Sequence, residues 1–342
     1  MERKPSICAI GMYTSAYDIQ IESLMKVFLE KGIDSIKTTY YQNKLLKFLD
    51  ILTFLPLNRR KYDVIHLQAH SRYNIISVIV ALFWAKVLNK KMIMMYYGGA
   101  AREFFSISTV FFRNLFVHID EIIVAGRYVQ SVFDDLKINT TLIPHILNIE
   151  KWSFRHRTSS NYNLIWVRHL LNDYNPLMLL RVFKKLKIEY PELKLKIIGS
   201  GYLHDEMKAY ILDNSLVDIE MLGRVSDAEL KSSLDWADVF INTTNVDNQP
   251  VSVLEAMTCG CPVVSTNPGG IPDIITHQKN GLLSDPGDVE AMGRNIKSLF
   301  ENNDLYSSLS FNGREFIKSF FSKDVIFEKW IRVYSNVGYK LN

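Results

Sequence analysis

The chain has little cysteine, only Cys8, Cys259 and Cys261 in 342 residues. A sparse, odd set does not staple a secreted scaffold and points to a reducing compartment. Cys259 and Cys261 are separated by one glycine, yet no second Cys or His pair has the spacing of a zinc site. The two read as small residues packed beside a strand. Long apolar runs are missing as well. The longest, IISVIVALFWAKVL from Ile75 to Leu88, falls short of the roughly 20 residues that span a bilayer and reads as a buried helix. The opening MERKPSICAIGMYTS is basic at its start, but its apolar run is about half a usual signal core, so a first strand is expected there. These absences predict a cytoplasmic protein without a transmembrane anchor. Net charge is small too. At +4 it does not argue for nucleic acid, and it is compatible with anionic substrates or an anionic membrane surface.

What is present is ordinary globular composition, 48% hydrophobic and 22% charged, in a chain long enough for two domains. Short β-branched runs alternate with longer amphipathic segments, the pattern of βα units around a parallel sheet. The first half offers SICAIGM, SIKTTY, DVIHLQA, KMIMMYY, EIIVAG and TTLIP as strands, with IQIESLMKVFLEKG as a helix ending at Gly32. After Pro144 the chain reaches a polar stretch, Arg155 to Asn163, the best candidate for a linker. The alternation restarts with NLIWVR, LKLKIIGSG, DIEMLG, VFINTT, PVVSTN and GLLSD. The expected fold is α/β, two Rossmann-like domains facing across a cleft. Residues 1–158 would form the first, joined by a C-terminal helix at about 323–342, and residues 159–322 the second. The last helical stretch, roughly Asn312 to Tyr334, carries Phe316, Phe320, Phe321, Phe327 and Trp330 and is expected to pack across both.

One segment carries chemistry. In DNQPVSVLEAM, Asp247 and Glu255 stand eight positions apart across a helix start, with Pro250 where a first helical residue is favoured. The N–H groups of Val251, Ser252 and Val253 would sit at the positive end of the helix, suited to a phosphate. Glu255 lies five residues beyond Pro250, about 7.5 Å along the axis, within reach of a ribose. Asp247 would lie on the other side of the phosphate, where a hexose projects. Two surface acids are the plainer reading of this segment alone.

The run Asp247 to Leu283 closely resembles retaining glycosyltransferases of the GT-B fold, the family-4 kind, also called glycosyl transferases group 1. Glu255 within LEAM matches the second acid of their signature. Gly260 with Pro262 to Val264 matches the strand entry, and Gly269-Gly270 the turn. Further matches are Tyr62 to His66, Ile143-Pro144, Ile198 to Gly201 and Leu222 to Val225, so the resemblance extends over nearly the whole chain. It implies a nucleoside diphosphate sugar as co-substrate in the second domain and a saccharide or lipid-linked acceptor in the first. The sugar would be transferred with retained configuration, in cell-envelope or exopolysaccharide synthesis, with no cofactor and no metal. The domains would close on the donor and exclude water.

Carried over by position, Glu255 would bind ribose hydroxyls, Asp247 and Asn248 the donor sugar, and Gly223, Arg224 and Val225 the base, with Gly199 beside them. Arg168 would neutralise the diphosphate, a task for which a planar guanidinium is suited. Catalysis is expected from Asp247, Arg168 and Tyr97, and acceptor contacts from Gly11, Met12, His70, Gly98 and Gly99. Three positions depart from the family. The first acid is Asp247 rather than Glu, no Lys follows Arg168 until Lys184, and Tyr97 with Gly98-Gly99 stands where many relatives have His before Gly. Tyr174 and Asn175 are candidates to assist Arg168. No D-x-D occurs in the chain, the pair that metal-dependent transferases of the other main fold use. His66 and His70 would be about 13 Å apart on a strand, too far to share a metal. His66 reads as packing, and His169 as facing away from Arg168. A nucleotide-sugar epimerase of the same fold, or a non-catalytic subunit that binds a sugar nucleotide, are the alternatives.

The segment Asn43 to Lys61 is apolar on one side and carries Lys44, Lys47, Arg59, Arg60 and Lys61. It reads as a helix packed on the sheet with a basic loop, or as a segment resting on an anionic membrane.

Overall fold

Strand signals in the first half become six parallel strands, β1 (Ile7–Ile10), β2 (Ser35–Thr38), β3 (Val64–Ala69), β4 (Lys91–Tyr96), β5 (Glu121–Val124) and β6 (Thr141–Leu142). The computed structural model describes residues 4–11, 19–38, 43–69, 75–99 and 101–341. The sheet order is β2-β1-β3-β4-β5-β6. The crossovers are α1 (Ile19–Glu30), α2 (Lys44–Leu57), α3 (Ile75–Val87), α4 (Ala101–Ser106) with α5 (Thr109–Phe116), and α6 (Arg127–Asp135). Both sheet faces are covered, which is why the strands are continuously apolar rather than alternating. Cys8, Ile65, Leu67 and Met94 meet helices α2 to α6, while Ile7, Ala9, Ile93 and Met95 meet α1.

The second half repeats the plan with β7 (Asn163–Val167), β8 (Lys194–Ile198), β9 (Ile219–Gly223), β10 (Val239–Asn242), β11 (Val263–Thr266) and β12 (Leu282–Ser284), ordered β12-β11-β10-β7-β8-β9. Its helices are α7 (Pro176–Glu189), α8 (His204–Asp213), α9 (Asp227–Trp236), α10 (Val251–Thr258), α11 (Val289–Glu301) and α12 (Asn303–Phe321). The final helix, α13 (Lys323–Asn336), belongs with the first half, where Trp330 and Tyr334 pack edge-on against Phe28. The chain thus divides into unit 1, Met1–Leu147 with Phe321–Asn342, and unit 2, Asn148–Phe320.

Four expectations need correction. The polar stretch Arg155 to Asn163 is not a linker, and unit 1 ends earlier, at Leu147. Arg157 is buried in unit 2, where its guanidinium donates to the carbonyls of Leu234 at 2.7 Å, Ala237 at 2.9 Å and Cys259 at 2.6 Å. These carbonyls end α9 and α10, so one cation satisfies acceptors that two helices leave open. The last aromatic helix is two helices, because Ser322 is extended and breaks it between α12 and α13. Helix α3 is buried on one side only. Lys47 turns inward, its Nζ donating to the Gly11 carbonyl at 3.3 Å, and so adds nothing to a basic surface.

Candidate functional site

In unit 2 the strand order reverses between β7 and β10, and loops leaving the carboxyl ends of such a pair diverge to open a crevice. Arg168 directly follows β7, and Asp247 lies in the loop between β10 and α10. Their side chains form an ion pair, with 16% of Arg168 and 12% of Asp247 exposed. The guanidinium also lies over the ring of Tyr174, 4.6 Å from its centroid, a cation–π contact.

The two loops are zipped together by short polar side chains. Trp166 donates to the Thr243 hydroxyl at 3.0 Å, and that hydroxyl donates to the Tyr174 carbonyl at 2.8 Å. Thr244 and the Asn245 amide both reach the Asp173 carbonyl, at 3.1 and 2.7 Å. Asn175 adopts a left-handed conformation and caps α7, while its side chain bonds Asn245 at 3.2 Å. Arg168 and Asp247 are therefore held by their loops as well as by each other.

Glycines let neighbouring turns come closer than any side chain allows. A Cβ on Gly269 would sit 2.0 Å from the Asp247 carbonyl oxygen, and one on Gly270 2.1 Å from that of Asn248. On the other flank, a Cβ on Gly199 would meet the Arg168 carbonyl oxygen at 1.7 Å. The Gly199 amide donates to the Gly223 carbonyl at 2.7 Å, and Arg224 Nε donates to the Ser200 hydroxyl at 2.9 Å. Arg168, Gly199, Gly223 and Arg224 thus line the ends of β7, β8 and β9. Val225 is half-buried beside them.

Helix α10 starts at Val251, with Pro250 as its N-cap rather than its first residue. Val253 and Leu254 both donate to the Pro250 carbonyl, at 3.2 and 3.3 Å, so the Val253 amide expected to face a ligand is already engaged. The amides of Val251 and Ser252 have no acceptor among the described residues. Asn248, 5% exposed, donates its backbone N–H to Asp247 Oδ1 at 2.9 Å, but both polar atoms of its side chain lack a partner there. The Ser252 hydroxyl is in the same condition. Buried polar groups are nearly always satisfied, so a cluster of open ones marks a place for a polar ligand.

Glu255 is half-buried on α10, and burial pushes its carboxyl up to about 7; the nearby charge of Lys151 lowers it and that of Asp227 raises it. Lys151 and Asp227 pair with each other at 2.7 Å. Lys151 precedes the second run of strands and has no local signal linking it to Glu255. Cys259 and Cys261 are both buried. Among the described residues no three His, Cys, Asp or Glu side chains gather into a metal-ligating group.

In unit 1 the order reverses between β1 and β3. Gly11 follows β1, and Tyr97, Gly98 and Gly99 follow β4. The Tyr97 ring meets His145 edge-on at 4.5 Å, and burial holds its hydroxyl protonated, well above the usual range. Met12 and His70 lie outside the described residues. His66 is a core residue, 4.8 Å from the Trp330 ring, and burial lowers its pKa to about 3. Because β7 ends at Val167, strand alternation does not decide the direction of His169, whose ring lies 6.4 Å from Tyr174.

Residues 148–316 match the family model described as "Glycosyl transferases group 1". Unit 2 is a group 1 glycosyltransferase domain. An uncharacterised glycosyltransferase of Methanocaldococcus jannaschii is 26% identical over 211 residues, 61% of this chain and 58% of that protein. The amylovoran biosynthesis glycosyltransferase AmsK of Erwinia amylovora is 39% identical over 103 residues, 28% of this chain and 25% of its own. The matches span about half or less of these relatives' lengths. Among solved structures, Anabaena HepE in complex with UDP-glucose superposes with a TM-score of 0.79 at 14% identity, over 97% of this chain and 99% of that one. The fold of the chain is GT-B.

Proposed function

We propose that the protein transfers a sugar from a nucleoside diphosphate sugar to a hydroxyl of a saccharide or lipid-linked acceptor, with retention of configuration and without a protein-bound metal. The observation that carries this reading is the Arg168–Asp247 pair beside the open Asn248 amide and the first amides of α10, at the switch point of unit 2. UDP-glucose bound to HepE, and AmsK's part in amylovoran synthesis, support the donor class and a polysaccharide or cell-envelope setting.

In this mechanism the Arg168 guanidinium, the Asn248 amide and the N–H groups of Val251 and Ser252 bind the diphosphate. Glu255 accepts hydrogen bonds from the ribose, Gly223 to Val225 present backbone to the base, and Asp247 orients sugar hydroxyls. The bond from the anomeric carbon to the phosphate oxygen breaks, and the acceptor oxygen forms its bond on the same face. Its proton passes to the departing diphosphate, whose growing charge Arg168 stabilises. Unit 1 is assigned the acceptor, through Gly11, Met12, His70 and Gly98-Gly99, with Tyr97 as a neutral hydrogen-bond donor.

Thermal denaturation against UDP, GDP, ADP and their sugar conjugates tests the donor site. One nucleotide should raise the transition in chelator as well as in magnesium. NMR of the product then reads the anomeric configuration. No shift with any nucleotide defeats the donor site, and an inverted product defeats retention.

A further inference from the structure

The outward faces of α2 and α3 are apolar. On α3 the exposed stripe is Ile76, Ile79, Phe83 and Val87, each between 41% and 57% exposed, with Lys86 beside it. These positions recur at helical spacing along one side. On α2, Leu45, Leu49 and Leu57 are exposed by 44% to 80%. The two helices pack side by side on one face of the sheet, so the stripes form one surface. Single exposed apolar residues are ordinary, but a contiguous patch marks an interaction surface.

Cations gather at one end of this surface. Arg59, Arg60 and Lys61 follow α2, and Lys86 is in the last turn of α3. Lys90 Nζ donates to the Tyr62 carbonyl at 2.5 Å, which ties the two helix ends together. Among the described residues none of Arg59, Arg60, Lys61 and Lys86 pairs with a carboxylate, whereas Lys91, at the start of β4, is matched by Asp120 at 2.8 Å. Neither stripe carries an acid.

We propose that this face docks on an anionic phospholipid membrane. The stripes would enter the boundary between headgroups and acyl chains, and the four unmatched cations would meet lipid phosphates. Helix α3 has 13 residues, and no helix among the described residues is long and apolar enough to cross a membrane, so the contact is peripheral. A second copy of the chain would bring the same four cations to the contact, and neither stripe carries an acid to oppose them. Anionic lipid supplies both the apolar phase and the countercharge.

Co-sedimentation of the whole chain with vesicles of phosphatidylcholine, alone or mixed with phosphatidylglycerol, tests the proposal. Each Lys or Arg near such a surface strengthens binding roughly fivefold, so the triple variant Arg59→Gln/Arg60→Gln/Lys61→Gln should lose on the order of 100-fold in affinity for the mixed vesicles. Phe83→Ser should weaken vesicle binding while leaving the thermal transition in place, since that side chain is already exposed. Binding equal on neutral and anionic vesicles, or absent from both, overturns the proposal. A Phe83→Ser variant that converts a dimer to a monomer without affecting vesicle binding assigns the face to a second copy instead. None of these readouts depends on transferase activity, so they stand or fall apart from the proposed reaction.

Discussion

Arg168, at the end of β7, is ion-paired with Asp247, in the loop after the neighbouring strand β10. The pair is sheltered but not sealed, which keeps its charges within reach of a ligand. A diphosphate arriving at Arg168 would compete with the Asp247 carboxylate for the same guanidinium. Binding would then exchange one anion for another and release Asp247 toward the sugar.

Arg168→Ala should therefore abolish the thermal shift given by nucleotide, while Asp247→Asn keeps or increases the shift with the bare diphosphate and loses turnover. Each single change should also cost about 2 kcal/mol of stability, below the 3–5 of a fully buried pair because the edges are wet. Denaturation with and without the nucleoside diphosphate that shifts the wild type measures both effects. Equal loss of that binding in the two variants would remove the competition argument.

The Gly269-Gly270 turn presses on the backbone of Asp247 and Asn248. Gly269→Ala and Gly270→Ala should each cost roughly 2 kcal/mol or more, because the contacted atoms are backbone and cannot yield as a side chain can. Both should weaken nucleotide binding by displacing the Asp247 loop. Gly287→Ala is the control: it has a φ of +82° but open space around a Cβ, so only about 1 kcal/mol of backbone strain is expected, with ligand binding intact. Equal effects on binding at all three positions would contradict the packing argument.

Burial raises Glu255 to about 7 from an ordinary 4.5. Between those values the folded protein holds a proton that the unfolded chain has released, so this group makes stability fall as pH rises through that window. Glu255→Gln should remove the decline, up to about 3 kcal/mol at pH 8 for a shift of this size. If Glu255 binds ribose as a carboxylate, nucleotide affinity of the wild type should rise as pH passes 7, and the Gln variant should show a flat, weaker profile. Parallel pH profiles for the two proteins would defeat the assignment.

His66 behaves in the opposite sense. Its pKa falls to about 3 in the folded state from an ordinary 6.5, so below pH 6.5 the unfolded chain takes up a proton that the folded protein refuses. Stability should fall with pH from 6.5 toward 3, by about 2 kcal/mol at pH 5. His66→Phe should flatten that acid limb of the denaturation profile and leave the neutral region alone. An unchanged acid limb would mean that His66 titrates freely.

Much of the fold was legible because strand and helix periods are local. The twelve strands among the described residues lie within the runs read from the sequence, and helix α1 ends at Glu30, just short of Gly32. Pro250 and LEAM likewise announce the start of α10 to within one residue. Arg157 was hidden because its task is non-local. In the sequence it is one cation in a polar stretch, and only the folded chain brings the ends of α9 and α10 to its guanidinium. The Phe321–Lys323 break was hidden by aromatic spacing that continues across it.

The sequence by itself determined the alternation of strands and helices, the glycine turns and the acids before and within α10, since each depends on residues close along the chain. It also carried the family signature. Only the tertiary structure decided that Arg168 and Asp247 meet, that the Val253 amide is already taken, and that Lys47 turns inward while Phe83 turns out. Those facts depend on which strands become neighbours and which helix face meets the sheet. Pairing of that kind is settled by packing between distant segments, for which a single sequence holds no local record.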